Sequence, residues 1–180
     1  IITLIDDNKD KAIEIATETI NSFEKIYEEK WLNMMRDKLG LFGNDINDQI
    51  LIMELLNWMN KNKADYTNTF CFLMNENFYN NKIYDDENFL NWKKKWENRI
   101  KINNSSHEKY LRLMRSVNPM VIPRNHKVEE ALADADKGSL EKMNELLKVL
   151  SNPYSDQKNL REFQEPALDN IEKYQTFCGT

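Results

Sequence analysis

Four side chains in this sequence could hold a soft metal or form a nucleophile–base pair: Cys71, His107, His126 and Cys178. A structural zinc wants Cys and His in closely spaced pairs. No two of these four are close in sequence, so spacing argues against a metal and assigns no metal ligands. A Cys–His nucleophile pair can be assembled in space, but it also needs a positioned base and an oxyanion donor, and no local pattern supplies either. Cys71 lies between Phe70 and Phe72, the setting of a buried apolar thiol.

Carboxylates give no sharper signal. Asp85–Asp86 and Glu129–Glu130 are adjacent pairs, and neighbours on a helix point about 100° apart, normally into water. Gly40 and Gly43 flank Leu41 and Phe42 with no Lys-Ser/Thr behind them. They read as a helix terminus, not a phosphate cradle. The sequence therefore offers no catalytic and no cofactor-binding residues of its own.

The stretch with most chemical promise is NPMVIPRNH, Asn118 to His126. Pro119 and Pro123 forbid a continuous helix, and Asn118 is pushed towards extended geometry. Arg124 can clamp a carboxylate or phosphate, Asn125 can cap the next helix, and His126 falls in that helix's first turn. Either the prolines set a bend and Arg124 bridges to an acidic neighbour, or the loop touches a ligand or another domain. Arg124, Asn125 and His126 are the candidate interdomain contacts.

The elements around this bend are helical. The chain has 180 residues, 41% apolar and 31% charged, with four Gly and four Pro. That is too apolar for disorder and too poor in turn residues for an all-β fold. Between Asp7 and Leu39, Ile13, Ala16, Ile20, Phe23, Tyr27, Trp31, Met34 and Met35 recur every three or four residues, the pattern of a long amphipathic helix. Gly40 suits its left-handed C′ position.

Asp45 or Asn47 can cap a second helix facing inward through Ile50, Leu51, Ile52, Leu55, Leu56, Trp58 and Met59. Asp65 can cap a third carrying Phe70, Phe72 and Leu73. Asn75 to Asn81 reads as a loop, and Asp85 or Asp86 opens a helix with Phe89, Leu90, Trp92 and Trp96 on its apolar side. Ser105 and Glu108 fit a capping box for a fifth helix with Tyr110, Leu111, Leu113, Met114 and Val117. After the bend, a helix from Asn125 to Lys137 turns through Gly138 and Ser139 into another carrying Leu140, Met143, Leu146, Leu147 and Leu150. That is an αα-hairpin.

The expectation is an all-α, bundle-like domain of about seven helices. Residues 1–104 form a long helix and bundle, 105–154 the bend and hairpin, and 155–180 a polar C-terminal arm.

The net charge of −5 gives no general attraction to nucleic acid or anionic lipid. The one basic run, Lys93 to Lys101, interleaves with Trp92, Trp96 and Ile100 and reads as a solvated helix face. No run approaches the ~18 apolar residues of a membrane span. Two distant cysteines form no disulfide framework, which favours a reducing, cytoplasmic setting. Opening on Ile1 rather than Met, the sequence reads as part of something longer.

Residues 113–154, from LMRSVNPMVIPRNH through NELLKVLSNPY, resemble the C-terminal part of the selenoprotein O / YdiU family of protein adenylyltransferases. MRDKLGL (Met35 to Leu41), ADYTNTF (Ala64 to Phe70), FLNWKKKW (Phe89 to Trp96) and the closing FCGT follow the family's order. The resemblance implies an atypical protein-kinase-like parent that transfers AMP from ATP, with Mg²⁺ or Mn²⁺, to Ser, Thr or Tyr of protein substrates. It also implies that the catalytic residues lie in an N-terminal kinase-like half not contained here, and that the partner of this chain is that half. Cys178 matches the family's terminal Cys or selenocysteine, which implies a redox-regulatory disulfide, although Cys-Gly-Thr departs from the commoner Cys-Ser-Ser ending. A domain separated from such a neighbour should expose its docking face and dimerise through it. A different class of reading, an autonomous helical interaction module, would use an exposed apolar groove built from Trp92, Trp96 and Met114.

Overall fold

In the computed structural model the described residues are 2–75, 82–102, 106–155 and 160–167. They form eight α-helices and two short 3-10 turns, with no strand among them. The helices are α1 (Lys9–Lys38), α2 (Asp48–Asn62), α3 (Tyr66–Met74), α4 (Glu87–Ile102), α5 (His107–Val117), α6 (Asn125–Asp136), α7 (Glu141–Leu150) and α8 (Arg161–Gln164). None is long and apolar enough to cross a membrane.

The core is gathered by α2, α3 and α4, closed by the last turn of α1 and by α5. Phe72 stacks on Tyr84 at 4.0 Å, Trp58 meets Phe89 at 4.6 Å, and Trp92 stacks on Trp96 at 6.1 Å. Such pairs add to the burial energy of large rings only if the indole N–H groups find acceptors. All three do: Trp58 donates to Asp86 Oδ1 at 2.7 Å, Trp92 to the Leu51 carbonyl at 2.8 Å, and Trp96 to the Leu39 carbonyl at 2.8 Å. The groove expected from Trp92, Trp96 and Met114 is therefore not exposed. These side chains are buried because they face α2, the α1 terminus and α5 rather than solvent.

Helix boundaries follow the expected chemistry with small shifts. Asn8 caps α1, Asp65 caps α3 through the Asn68 N–H, and the Asp86 carboxylate takes the Phe89 N–H at the start of α4. Gly40 sits at C′ of α1 with φ +68°. The α5 cap is Ser106, not Ser105, and it accepts from Lys109 N. That one-residue shift removes Glu108 from the reciprocal position of a capping box. Asn47 occupies the α2 cap position without a side-chain capping bond; its Nδ2 donates instead to Asp45 Oδ1 at 3.1 Å. The α6 cap position belongs to Arg124, leaving Asn125 as the first helical residue with no capping role. Helices α6 and α7 pack side by side across the Gly138 turn.

One expected face is not covered. Along α1, every residue from Ile13 to Lys30 except Ala16 is exposed, including Ile20 at 72%, Phe23 at 66% and Tyr27 at 57%. The periodic stripe is present on the helix: Trp31 and Met35 at its C-terminal end pack against the core, and the stretch from Ile20 to Tyr27 lies open. Ile50 of α2 and Leu90 of α4, also expected inside, face out as well. The loop expected at 75–81 lies outside the described residues beyond Asn75, and so does the arm from residue 168 onward.

Candidate functional site

The Pro119–Pro123 bend is clasped from four sides. Asn118, 1% exposed, donates from Nδ2 to the carbonyls of Lys38 (2.8 Å) and Met114 (2.9 Å) and accepts from Lys38 Nζ at 2.9 Å. The Cys71 thiol points at the Pro119 carbonyl at 3.5 Å. Met120 N–H donates to the Pro153 carbonyl, and its own carbonyl accepts from Gln164 Nε2 at 2.9 Å. The carbonyls of Pro119 and Met120 are thus matched by side chains from α3 and α8, and the Met120 N–H by a backbone carbonyl beyond α7.

Arg124 locks the far end. Its Nη1 and Nη2 grip Asp65 Oδ2 and Oδ1 at 2.5 and 2.9 Å, and Nη2 also reaches the Gln164 carbonyl at 2.9 Å and Asn68 Oδ1 at 3.3 Å. Burial would push the Asp65 carboxyl up, but the bonds from Arg124 and the Asn68 N–H outweigh it and hold the group below its ordinary range. So the bridge to an acidic neighbour exists, and the neighbour is the capping residue of α3. Asn125 is exposed and His126 half-buried in the first turn of α6.

Burial pulls the Lys38 ammonium down, and it lies 4.8 Å from the Phe70 ring centre. Burial also pushes the Cys71 thiol up to about 12, which makes it inert as a nucleophile at neutral pH.

A second polar centre has no counterpart in the sequence expectations. Asp48 is shared by two guanidiniums: Arg36 Nε to Oδ2 and Arg99 Nε to Oδ1, each at 2.7 Å. Arg99 also ties the carbonyls of Phe42 and Gly43, so the loop after α1 is pinned to α4. Beside this knot a cleft of about 370 Å³ opens between α2 and α4, edged by Ile50, Glu54, Lys95 and Ile102. Two cations on one buried carboxylate make the knot locally positive, and both Asp48 oxygens accept from guanidinium groups. A signal for Arg99 does exist in the sequence. It lies three residues after Trp96 and seven after Trp92, on the buried side of α4, while Lys95 points outward to Glu54.

Of the four soft or nucleophilic side chains, Cys71 is buried in the core and Cys178 lies outside the described residues. His107 pairs with Tyr110 at the start of α5 through a 2.7 Å hydrogen bond. No group of three or more His, Cys, Asp or Glu side chains able to hold a metal ion occurs among the described residues. Among the described residues, the buried Asp48 and the half-buried Asp65 are both committed to arginines. This geometry holds a bend and a loop in place.

A family model described as protein adenylyltransferase SelO matches residues 4–151. The chain belongs to the SelO family. It is 56% identical over 180 residues to the protein nucleotidyltransferase YdiU of Pelagibacter ubique (strain HTCC1062). It is 44% identical over 181 residues to that of Nitrosococcus oceani, and 42% identical over 180 to that of Clostridium perfringens (strain 13 / Type A). Each match covers 100% of this chain but 37% of the relative, so the chain spans little more than a third of the length of the SelO-family proteins it matches. Both polar centres, the Arg124–Asp65 clasp and the Arg36–Asp48–Arg99 knot, fall within the family-matched residues.

Proposed function

We propose that this chain is the C-terminal helical portion of a SelO-type protein adenylyltransferase, a single structural and regulatory domain without catalytic activity of its own. In the whole protein, AMP would pass from ATP to Ser, Thr or Tyr hydroxyls of protein substrates. The observation that carries this reading is the match, over the whole of this chain, to nucleotidyltransferases of which the chain spans 37%, set beside the buried Asp48 and half-buried Asp65, both already spent on arginines.

ATP and its divalent cation do not fit the described residues. Phosphoryl and nucleotidyl chemistry needs carboxylates free to hold the metal and a cradle for the phosphates, and Asp48 and Asp65 are not free. Both ligands belong to the kinase-like half expected outside this chain. That half is the partner, the setting is cytoplasmic, and protein substrates meet the assembled enzyme rather than this domain. Cys178 is the redox-regulatory position, through a disulfide to the other half.

The test is calorimetric titration of the 180-residue chain with ATP and Mg²⁺, alongside AMP incorporation by the full-length gene product. Silence from the chain and labelling by the full-length protein support the reading. Tight, Mg²⁺-dependent ATP binding by the chain overturns it. The uncovered apolar stripe on α1 gives the second reading, a helical interaction module without enzymatic activity, a footing that the buried tryptophans do not.

A further inference from the structure

Residues Ile13, Ile20, Tyr27 and Met34 follow one another at seven-residue intervals on α1, with Ala16 and Phe23 three residues after the first two. This is the a/d spacing of a coiled-coil seam. A straight helix drifts only about 20° per heptad from it, so these residues share one face over roughly 32 Å. All but Ala16 are at least 41% exposed, and Phe23 and Tyr27 stack on each other at 6.0 Å with no cover from the described chain. The same helix ends in a well-covered turn, with Met35 and Leu39 at 1% and 0% exposure. The C-terminal end of α1 is thus rooted in this domain's core, and the rest projects an apolar seam away from it.

Such a seam in a single copy calls for an apolar partner surface. From Lys9 to Lys30 the helix carries six acids and four lysines. Beside the seam only Asp10 and Glu24 are charged, and Lys30 occupies the next d position, so a parallel second copy would set lysine against lysine within the seam. More than three fifths of each relative's length lies outside the region this chain matches, and α1 lies within the family-matched residues, so the shared body of the protein is where that surface is to be sought.

We propose that the α1 seam centred on Ile20, Phe23 and Tyr27 is the docking face for an apolar surface on the portion of the same protein outside this chain. The proposal rests on the reading that such a portion exists, and names where the two meet. Hydroxyl-radical footprinting of the 180-residue chain and of the full-length gene product tests it. Oxidation of Phe23, Tyr27 and Met34 is expected to fall several-fold in the full-length protein, and Phe23→Asp is expected to restore it at Tyr27. Leu147→Asp, at an exposed site on α7, should restore nothing. Equal oxidation in the two proteins overturns the proposal. So does a full-length protein that sediments as a dimer and becomes monomeric, with the seam re-exposed, in Phe23→Asp, since the occupant would then be a second copy. AMP transfer by the same preparation reads the adenylyltransferase function separately. Transfer with an unprotected seam sinks the docking face alone, and a protected seam without transfer sinks the enzymatic reading alone.

Discussion

Arg124 and Asp65, 59 positions apart, meet in a two-pronged guanidinium–carboxylate pair that joins the end of the proline bend to the cap of α3. The side chains are 11% and 20% exposed, so the pair works in a setting where removing one partner strands the other. Arg124→Ala is expected to destabilise the domain by about 2–3 kcal/mol, measured by urea unfolding. Arg124→Lys should recover less than half of that loss, because an ammonium cannot reproduce the paired geometry and the bond to the Gln164 carbonyl together. Full recovery with lysine would mean that charge alone matters there.

The Arg36–Asp48–Arg99 knot should be the more sensitive of the two. Asp48 is fully buried and its partners are 11% and 8% exposed. Asp48→Asn leaves two guanidiniums without their anion and is expected to cost about 3–5 kcal/mol. Arg36→Met removes one of two donors and keeps the pair with Arg99, so it should cost much less. A double-mutant cycle between positions 48 and 99 reads the coupling directly.

Both carboxylates also set the acid limit of stability. Burial works to raise each, and arginine bonds overcome it, so the folded carboxyls of Asp48 and Asp65 lie below their ordinary value. A depressed folded pKa gives stability that is fully present above the unfolded value of about 3.9 and is lost as pH falls through the folded value. Unfolding free energy should therefore stay level for these groups down to about pH 4 and then decline, and Asp65→Asn should flatten the decline.

Cys71 gives the opposite limb. Burial, then the nearby Asp65 charge, push its thiol up to about 12. The unfolded chain ionises this thiol first, so stability is expected to fall as pH rises beyond about 8.5. In a Cys178→Ser background, the one remaining thiol should react with a disulfide reagent only at the rate of unfolding. Rapid labelling at pH 8 would show that Cys71 is reached from the native state.

Most of the fold was legible because the helix signals were local. Asp65, Asp86, Gly40 and Gly138 act within a turn or two of their own positions, and the apolar spacing of α2, α4 and α5 states which face goes inward. What was not legible depends on partners distant in sequence. Asp48 looks like any first-turn acid until Arg36 and Arg99 converge on it from two other helices. Gln164, in a tail with little periodicity, turns out to hold both the bend carbonyl of Met120 and the Arg124–Asn68 pair. On α1 the periodicity was read correctly as a face, but periodicity cannot say whether the cover comes from the same stretch of chain. Cys178 and the rest of the terminal arm lie outside the described residues, so that part of the family resemblance stands as a proposal.

The two turn glycines separate backbone strain from crowding. Gly40 and Gly138 both adopt left-handed backbone, φ +68° and +88°, so alanine at either is expected to cost about 1–2 kcal/mol from conformation alone. At Gly138 an added Cβ meets nothing within 4 Å, and the hairpin turn should tolerate the change at that cost. At Gly40 the same atom would lie 3.0 Å from Met114 Cγ and 3.1 Å from the Tyr110 carbonyl oxygen. Met114 is fully buried and the carbonyl belongs to α5, so neither can step aside without moving the helix that leads into the bend. Gly40→Ala is therefore expected to cost about 1–3 kcal/mol more than Gly138→Ala. Urea unfolding of the two variants side by side measures that difference, and equal losses would mean that α5 is free to shift on α1.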